Sequence, residues 1–73
     1  MDKYKVAIVD DDEVALENLS FELGKDARFS LKGTARNGKQ GKKLIAKVQP
    51  DLLFLDVEMP DMTGMELLQE IRG

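Results

Sequence analysis

The chain of 73 residues contains no cysteine and no histidine. It therefore has no disulfide to staple it, and it lacks the thiolate and imidazole groups that hold most transition metals. Any metal it binds must sit on oxygen. Long hydrophobic runs are also missing: Met1-Asp2-Lys3-Tyr4-Lys5 leads into an apolar stretch far too short for a signal peptide or a membrane span. A soluble cytoplasmic protein without a membrane partner is expected. No repeat, linker or low-complexity segment is present, and a chain of this size buries only roughly 60% of the surface its unfolded form exposes. One small domain, or part of one, accounts for everything.

Charge of neither sign dominates. There are 11 basic against 14 acidic residues and a net charge of −3, which argues against nucleic acid as a partner. The signs are unevenly placed, however: Asp10 to Glu13 is an acidic block, whereas Lys39, Lys42, Lys43 and Lys47 fall in one segment. The lysines read as the solvated side of an amphipathic helix.

Apolar spacing alternates between two patterns. Tyr4 to Val9 is a short continuous run that suits a strand covered on both faces. Leu16, Leu19 and Leu23 then repeat at helical spacing, after acids favourable to a helix N-terminus and before Gly24 as a stop. Phe29 to Ala35, interrupted by Lys32 and Gly33, is a weaker strand better placed at a sheet edge. Asn37-Gly38 signals a turn, and Gly41, Leu44, Ile45 and Val48 form the stripe of a second helix ended before Pro50. Leu52 to Leu55 is a third strand. Pro60 to Gly64 is a loop, in which Asp61 reads as a solvated turn residue, and Leu67, Leu68 and Ile71 mark a third helix. The order βαβαβα calls for a parallel α/β sheet with crossover helices.

Two of these strands end on acids. Val6-Ala7-Ile8-Val9 runs into Asp10-Asp11-Asp12, and Leu52-Leu53-Phe54-Leu55 into Asp56-Val57-Glu58-Met59-Pro60. If the strands lie parallel and adjacent, about 4.8 Å apart, their carboxylates converge at the carboxyl edge, where open α/β sheets bind ligands. Stability does not ask for mutually repelling carboxylates. A hard divalent cation that prefers oxygen, Mg²⁺ or Mn²⁺, would neutralise them. Asp12 reads better as a helix N-cap than as a ligand. Met59, Met62 and Met65 read as gap-fillers around the loop rather than as an adaptable binding surface.

The strings Val9-Asp10-Asp11-Asp12 and Leu55-Asp56-Val57-Glu58-Met59-Pro60-Asp61-Met62-Thr63-Gly64 resemble the receiver domain of two-component response regulators. The resemblance runs from about Lys5 to the last residue. It implies a flavodoxin-like parallel sheet in the order 2-1-3, with residues 1–73 forming the N-terminal portion of a single receiver domain, truncated before the fourth strand. It further implies that Asp56 is the phosphoacceptor, served by a histidine kinase or phosphotransfer protein. Mg²⁺ would be held directly by Asp11 and Asp56, through water by Asp10, and by the backbone carbonyl of Glu58; Met59, Pro60 and Gly64 would shape the loop. Proline fixes φ there, and glycine can adopt a positive φ. The family also uses a Ser or Thr after its fourth strand and a Lys after its fifth. Nothing in this chain matches either, Thr63 and Ser30 being in the wrong elements.

Such a protein would be a signalling phosphoacceptor rather than an enzyme. Two other readings compete. Asp10-Asp11-Asp12-Glu13-Val14 also matches the short motif of haloacid-dehalogenase-like phosphatases, with Asp10 as nucleophile and Asp12 as general acid. Alternatively, the chain is a silent assembly module. The third strand, apolar on both faces and free of internal charge or proline, would be an unprotected edge, and a homodimer through it is expected.

Overall fold

The computed structural model describes residues 3–72, built in the order β1 (Tyr4–Val9), α1 (Glu13–Gly24), β2 (Phe29–Ala35), α2 (Gly38–Val48), β3 (Leu52–Leu55) and α3 (Gly64–Arg72). The strands form one parallel sheet in the order β2-β1-β3, as the alternating pattern implies. β1 is central, and its last four residues are covered on both faces: Val6, Ala7, Ile8 and Val9 are at most 1% exposed, whereas Tyr4 is exposed and Lys5 half-buried. β2 lies at an edge. Lys32 is the extra residue of a bulge there, since Val6 faces Leu31 while Ala7 faces Gly33.

Alternation along β1 divides the core. Val6 and Ile8 pack with Leu16, Leu23, Leu19, Phe29, Leu31 and Phe54 under α1. Val9, on the opposite face, packs with Ala35, Ile45 and Leu67 under α2 and α3, with Leu53, Leu55, Met59 and Met62 filling in around them. Leu67 is 0% exposed. Removing such a leucine side chain costs about 2–5 kcal/mol, which is comparable to the about 3–5 kcal/mol that a core of this size supplies. α2 approaches closely enough that a methyl group on Gly41 would stand 2.8 Å from a Val9 Cγ. Its lysines Lys39, Lys42, Lys43 and Lys47 face outward, as expected, with Lys42 Nζ 3.1 Å from Glu70 Oε1 on α3.

The helix ends depart from expectation in instructive ways. Gly24 is the last helical residue of α1 but does not stop it by a left-handed turn, since no described glycine has a positive φ. The last turn instead tightens, with the Lys25 N–H donating to Glu22 O at 3.2 Å and the Asp26 N–H to Leu23 O at 3.1 Å. Asn37-Gly38 is a helix start rather than a free turn: Asn37 Oδ1 accepts the Gln40 N–H at 2.8 Å. Gln49, at φ 51°, takes the left-handed conformation that ends α2 before Pro50, and its N–H donates to Ile45 O.

Asp61 is an exposed turn residue, as expected, but it has a second role. Its two carboxylate oxygens accept the Gly38 N–H at 2.8 Å and the Lys39 N–H at 2.9 Å, so it caps α2 from a loop far away in sequence. These donors hold its carboxyl below the ordinary value. A group depressed in this way stabilises the fold fully above its unfolded-state pKa of about 3.9, and the contribution is lost as pH falls through the lower folded value. Asp61→Asn is therefore expected to lower Tm at about pH 7, yet to lose less further Tm than the parent below about pH 4. Thermal melts at the two pH values check this; equal acid losses would show that the Asp61 charge contributes nothing.

Candidate functional site

Backbone bonds carry the sheet one residue beyond its strands. The Asp10 N–H donates to Ala35 O at 3.0 Å and the Asp56 N–H donates to Val9 O at 2.8 Å. These bonds fix the backbone of both aspartates at the carboxyl edge, one beside each flank of β1. One oxygen each of Asp10, Asp11 and Asp56 consequently lies within 4.8 Å of the others. Asp10 and Asp56 are half-buried, whereas Asp11 is exposed. Among the described residues this is the one gathering of three carboxylates of this kind.

The crowding has an electrostatic signature. The Asp11 carboxyl is held above its ordinary value, first by hydrogen bonding to the Asp56 carboxyl, next by partial loss of hydration, and then by repulsion from Asp56 and Asp10. Protons and cations are therefore both favoured at this edge. Its floor is a depression of about 310 Å³ lined by Ile8, Val9, Leu19, Phe54, Leu55 and Val57 beside Asp10 and Asp56.

Asp12 stands apart, as its position before a helix suggests. Its Oδ1 accepts the Val14 N–H at 3.0 Å and the Ala15 N–H at 3.5 Å, which commits the side chain to capping α1. The Asp12 N–H in turn donates to Asp10 Oδ1 at 2.9 Å, so one acid of the cluster is oriented by the start of the helix.

The loop after Asp56 is pinned across its base. The Gly64 N–H donates to Val57 O at 2.8 Å, and Glu58 forms an isolated antiparallel bridge with Thr63. Glu58 is exposed, and its carboxylate is not among the gathered acids. Met59 packs into the core under α2 and α3, and so does Met62; Met65, by contrast, is exposed, so only two of the three methionines fill gaps. Pro60 lies at the exposed turn. Gly64 does shape the loop, though not through a positive φ: a Cβ there would collide with the Asp56 carbonyl oxygen. The residue must be glycine because α3 starts against the backbone at the end of β3.

The sequence reading missed the residues that start α3. Thr63 Oγ1 accepts the Glu66 N–H at 3.1 Å while Glu66 Oε1 accepts the Thr63 N–H at 2.9 Å, a reciprocal capping box. Thr63-Gly64-Met65-Glu66 carries that signature in plain sight. The role of Asp61 had no local signal, because its partners lie on α2.

Comparison with known proteins agrees with this geometry. Residues 6–73 match the family described as response regulator receiver domain. A protein-glutamate methylesterase/protein-glutamine glutaminase of Geobacillus kaustophilus is 44% identical over 71 residues, covering 97% of this chain and 20% of that protein. The probable C4-dicarboxylate response regulator DctR of Bacillus subtilis is 43% identical, with 96% of this chain and 31% of that protein covered. Among solved structures, the signal receiver domain of the putative response regulator NarL from Mycobacterium tuberculosis superimposes with a TM-score of 0.93 at 28% identity, covering 99% of this chain and 58% of that one. The response regulator domain of Thermotoga maritima CheB gives 0.92 at 26% identity, with 96% and 52% covered. The chain thus spans a fraction of its relatives, about half of each receiver domain. From its acid-tipped parallel strands, its sheet order and this match across nearly all of its length, the chain belongs to the response regulator receiver domain family.

Proposed function

We propose that residues 1–73 are the N-terminal portion of a single cytoplasmic receiver domain that accepts a phosphoryl group on Asp56 from a histidine kinase or phosphotransfer protein. The observation that carries this reading is the convergence of the Asp10, Asp11 and Asp56 carboxylates within 4.8 Å at the carboxyl edge. An Asp56 carboxylate oxygen attacks the phosphorus of a phosphohistidine. The P–N bond breaks, the imidazole leaves with its electron pair, and an acyl phosphate remains on Asp56.

The donor set fits Mg²⁺ or Mn²⁺. Both are hard cations that prefer oxygen donors, and one carboxylate oxygen from each of three aspartates lies within 4.8 Å of the others here. Asp11 and Asp56 would ligate directly, Asp10 through water, and Glu58 through its backbone carbonyl. When bound, the cation offsets the negative charge of the carboxylates and of the incoming phosphoryl oxygens. The chain's own residues then orient: the Asp56 N–H bond to Val9 O fixes the nucleophile's backbone, and Asp12 holds Asp10. The rival phosphatase reading needs Asp12 free as a general acid, and its engagement as a cap speaks against that.

No helix of the described residues is long and apolar enough to cross a membrane. The domain is read as a signalling module that does not bind nucleic acid through this segment. β3 pairs with β1 on one side, and Leu52 is 38% exposed. A second copy paired along β3 is accordingly the proposed assembly, and it would also serve the alternative of a silent assembly module.

Three outcomes test these proposals. Mg²⁺ titration followed by amide shifts should show binding that Asp11→Asn weakens about tenfold and that Glu17→Gln on the outer face of α1 leaves alone; equal effects would reject the pocket. Acetyl phosphate with Mg²⁺ should leave little stable acyl phosphate on this chain, because no residue supplies the hydroxyl and lysine of the family, whereas a longer chain that includes them should gain one phosphoryl group on Asp56. Intact mass with peptide mapping decides, and labelling at Asp10 would favour the phosphatase. Light scattering after size-exclusion chromatography should give a dimer, and Phe54→Lys on β3 should shift it toward monomer; a well-folded monomer of the unaltered chain would reject pairing through β3.

A further inference from the structure

The start of α2 is capped twice. Asn37 supplies the local cap, through Oδ1 to the Gln40 N–H at 2.8 Å. Asp61 supplies another from the β3–α3 loop, taking the Gly38 and Lys39 N–H groups at 2.8 and 2.9 Å. Helix stability is served by both, since Asn37 satisfies one of the orphan N–H groups of the first turn and Asp61 two more. The distant cap does something a local one does not: it ties the loop carrying Glu58, Met59 and Pro60 to another element.

Met62 reinforces the tie. Its side chain lies so close over Gly38 that a Cβ at that glycine would collide with Met62 Cγ. Gly38 is buried although it opens a helix, and Met62 continues into the core that includes Ile45 and Leu67. Only Met59 and Pro60 separate Glu58 from Asp61, and Pro60 restricts the backbone between them. At the base, Glu58 is bridged to Thr63 and Gly64 is bonded to Val57. The loop is thus closed at its base by its own backbone and held at its tip by α2.

We propose that Asp61, seconded by Met62, is a positioning residue: it hooks the acceptor loop onto the first turn of α2 and so fixes the Glu58 backbone beside the acidic cluster. The inference rests on the phosphoacceptor reading above, which places that backbone among the cation's ligands. Asp61 touches neither cation nor phosphoryl group. It acts by holding the loop, and in return the loop's response to a cation reaches the Gly38 and Lys39 amides.

Amide-resolved Mg²⁺ titrations of the parent chain, Asp61→Ala, Asp61→Asn and Asn37→Ala provide the test. In the parent, the Gly38 and Lys39 amides should shift in step with those of Asp11 and Asp56. Asp61→Ala should weaken Mg²⁺ about tenfold, in the range that loss of an outer supporting contact costs, and should silence the two α2 amides. Asp61→Asn should keep most of the affinity, because its amide oxygen still accepts a hydrogen bond. Asn37→Ala removes the local cap, and should lower Tm without changing Mg²⁺ affinity. If the parent binds Mg²⁺ but Asp61→Ala binds equally well, or Asn37→Ala weakens binding as much as Asp61→Ala, the hook is overturned while the phosphoacceptor reading stands. If the parent shows no Mg²⁺ response at Asp11 and Asp56, that reading falls and the hook falls with it.

Discussion

The acidic edge depends on two backbone hydrogen bonds that belong to no strand, Asp10 N–H to Ala35 O and Asp56 N–H to Val9 O. Both continue the ladder of β1 past its last apolar residue. Because the carboxyl half of β1 is covered on both faces and paired on both sides, its end is held from every direction. Side chains that begin there inherit its position. A parallel sheet also brings every strand to the same edge with the same polarity, so two aspartates far apart in sequence arrive together without either moving to meet the other.

That convergence opposes stability. Carboxylates gathered without a counter-charge raise the Asp11 carboxyl, and they lie on a domain whose whole core is worth little more than one buried leucine. The surrounding structure answers with contacts that do not neutralise the charge but restrain it. Asp12 uses its carboxylate on α1 and its N–H on Asp10; Gly64 brings the start of α3 against the Asp56 backbone; Thr63 and Glu66 close that helix start reciprocally. Of the three gathered acids, Asp10 is tethered by the Asp12 N–H and Asp56 by its backbone bond to Val9 O, whereas Asp11 is exposed. Such restraint keeps the carboxylates gathered despite their repulsion.

Much of this was legible in the sequence, and the illegible part has a common cause. Strand and helix identity follow from apolar period, which is local, and the edge position of β2 follows from Lys32 and Gly33 within it. The pairing of Asp10, Asp11 and Asp56 followed from strand ends plus parallel order. The capping role of Asp61 went unread because aspartate in a proline-containing turn has an adequate local explanation, and its partners, the Gly38 and Lys39 amides, lie across the fold. Gly64 was misread for a related reason. A glycine's backbone freedom is the first explanation its sequence context offers, yet Gly38, Gly41 and Gly64 each serve by lacking a Cβ where another element presses close.

Those three glycines also explain how so small a domain keeps a strained cluster in place. Gly41 seats α2 on Val9, directly below Asp10; Gly38 admits Met62; and Gly64 seats α3 on Asp56. Each contact joins a helix to the acidic edge or to the loop beside it; those at Gly41 and Gly38 are with apolar side chains, and that at Gly64 is with the Asp56 carbonyl. Close approach raises packing density where the chain has little bulk to spare, and the dispersion gained needs no charge that would compete with the site. Polar hooks then set direction: Asp61 onto α2, Asp12 onto α1, Glu66 onto Thr63. The division of labour is physical, because apolar contact at a glycine fixes how near two elements lie but lets them slide, whereas a carboxylate shared between two N–H groups fixes their register. The acidic edge has both, so the separation and the direction of its carboxylates are set together.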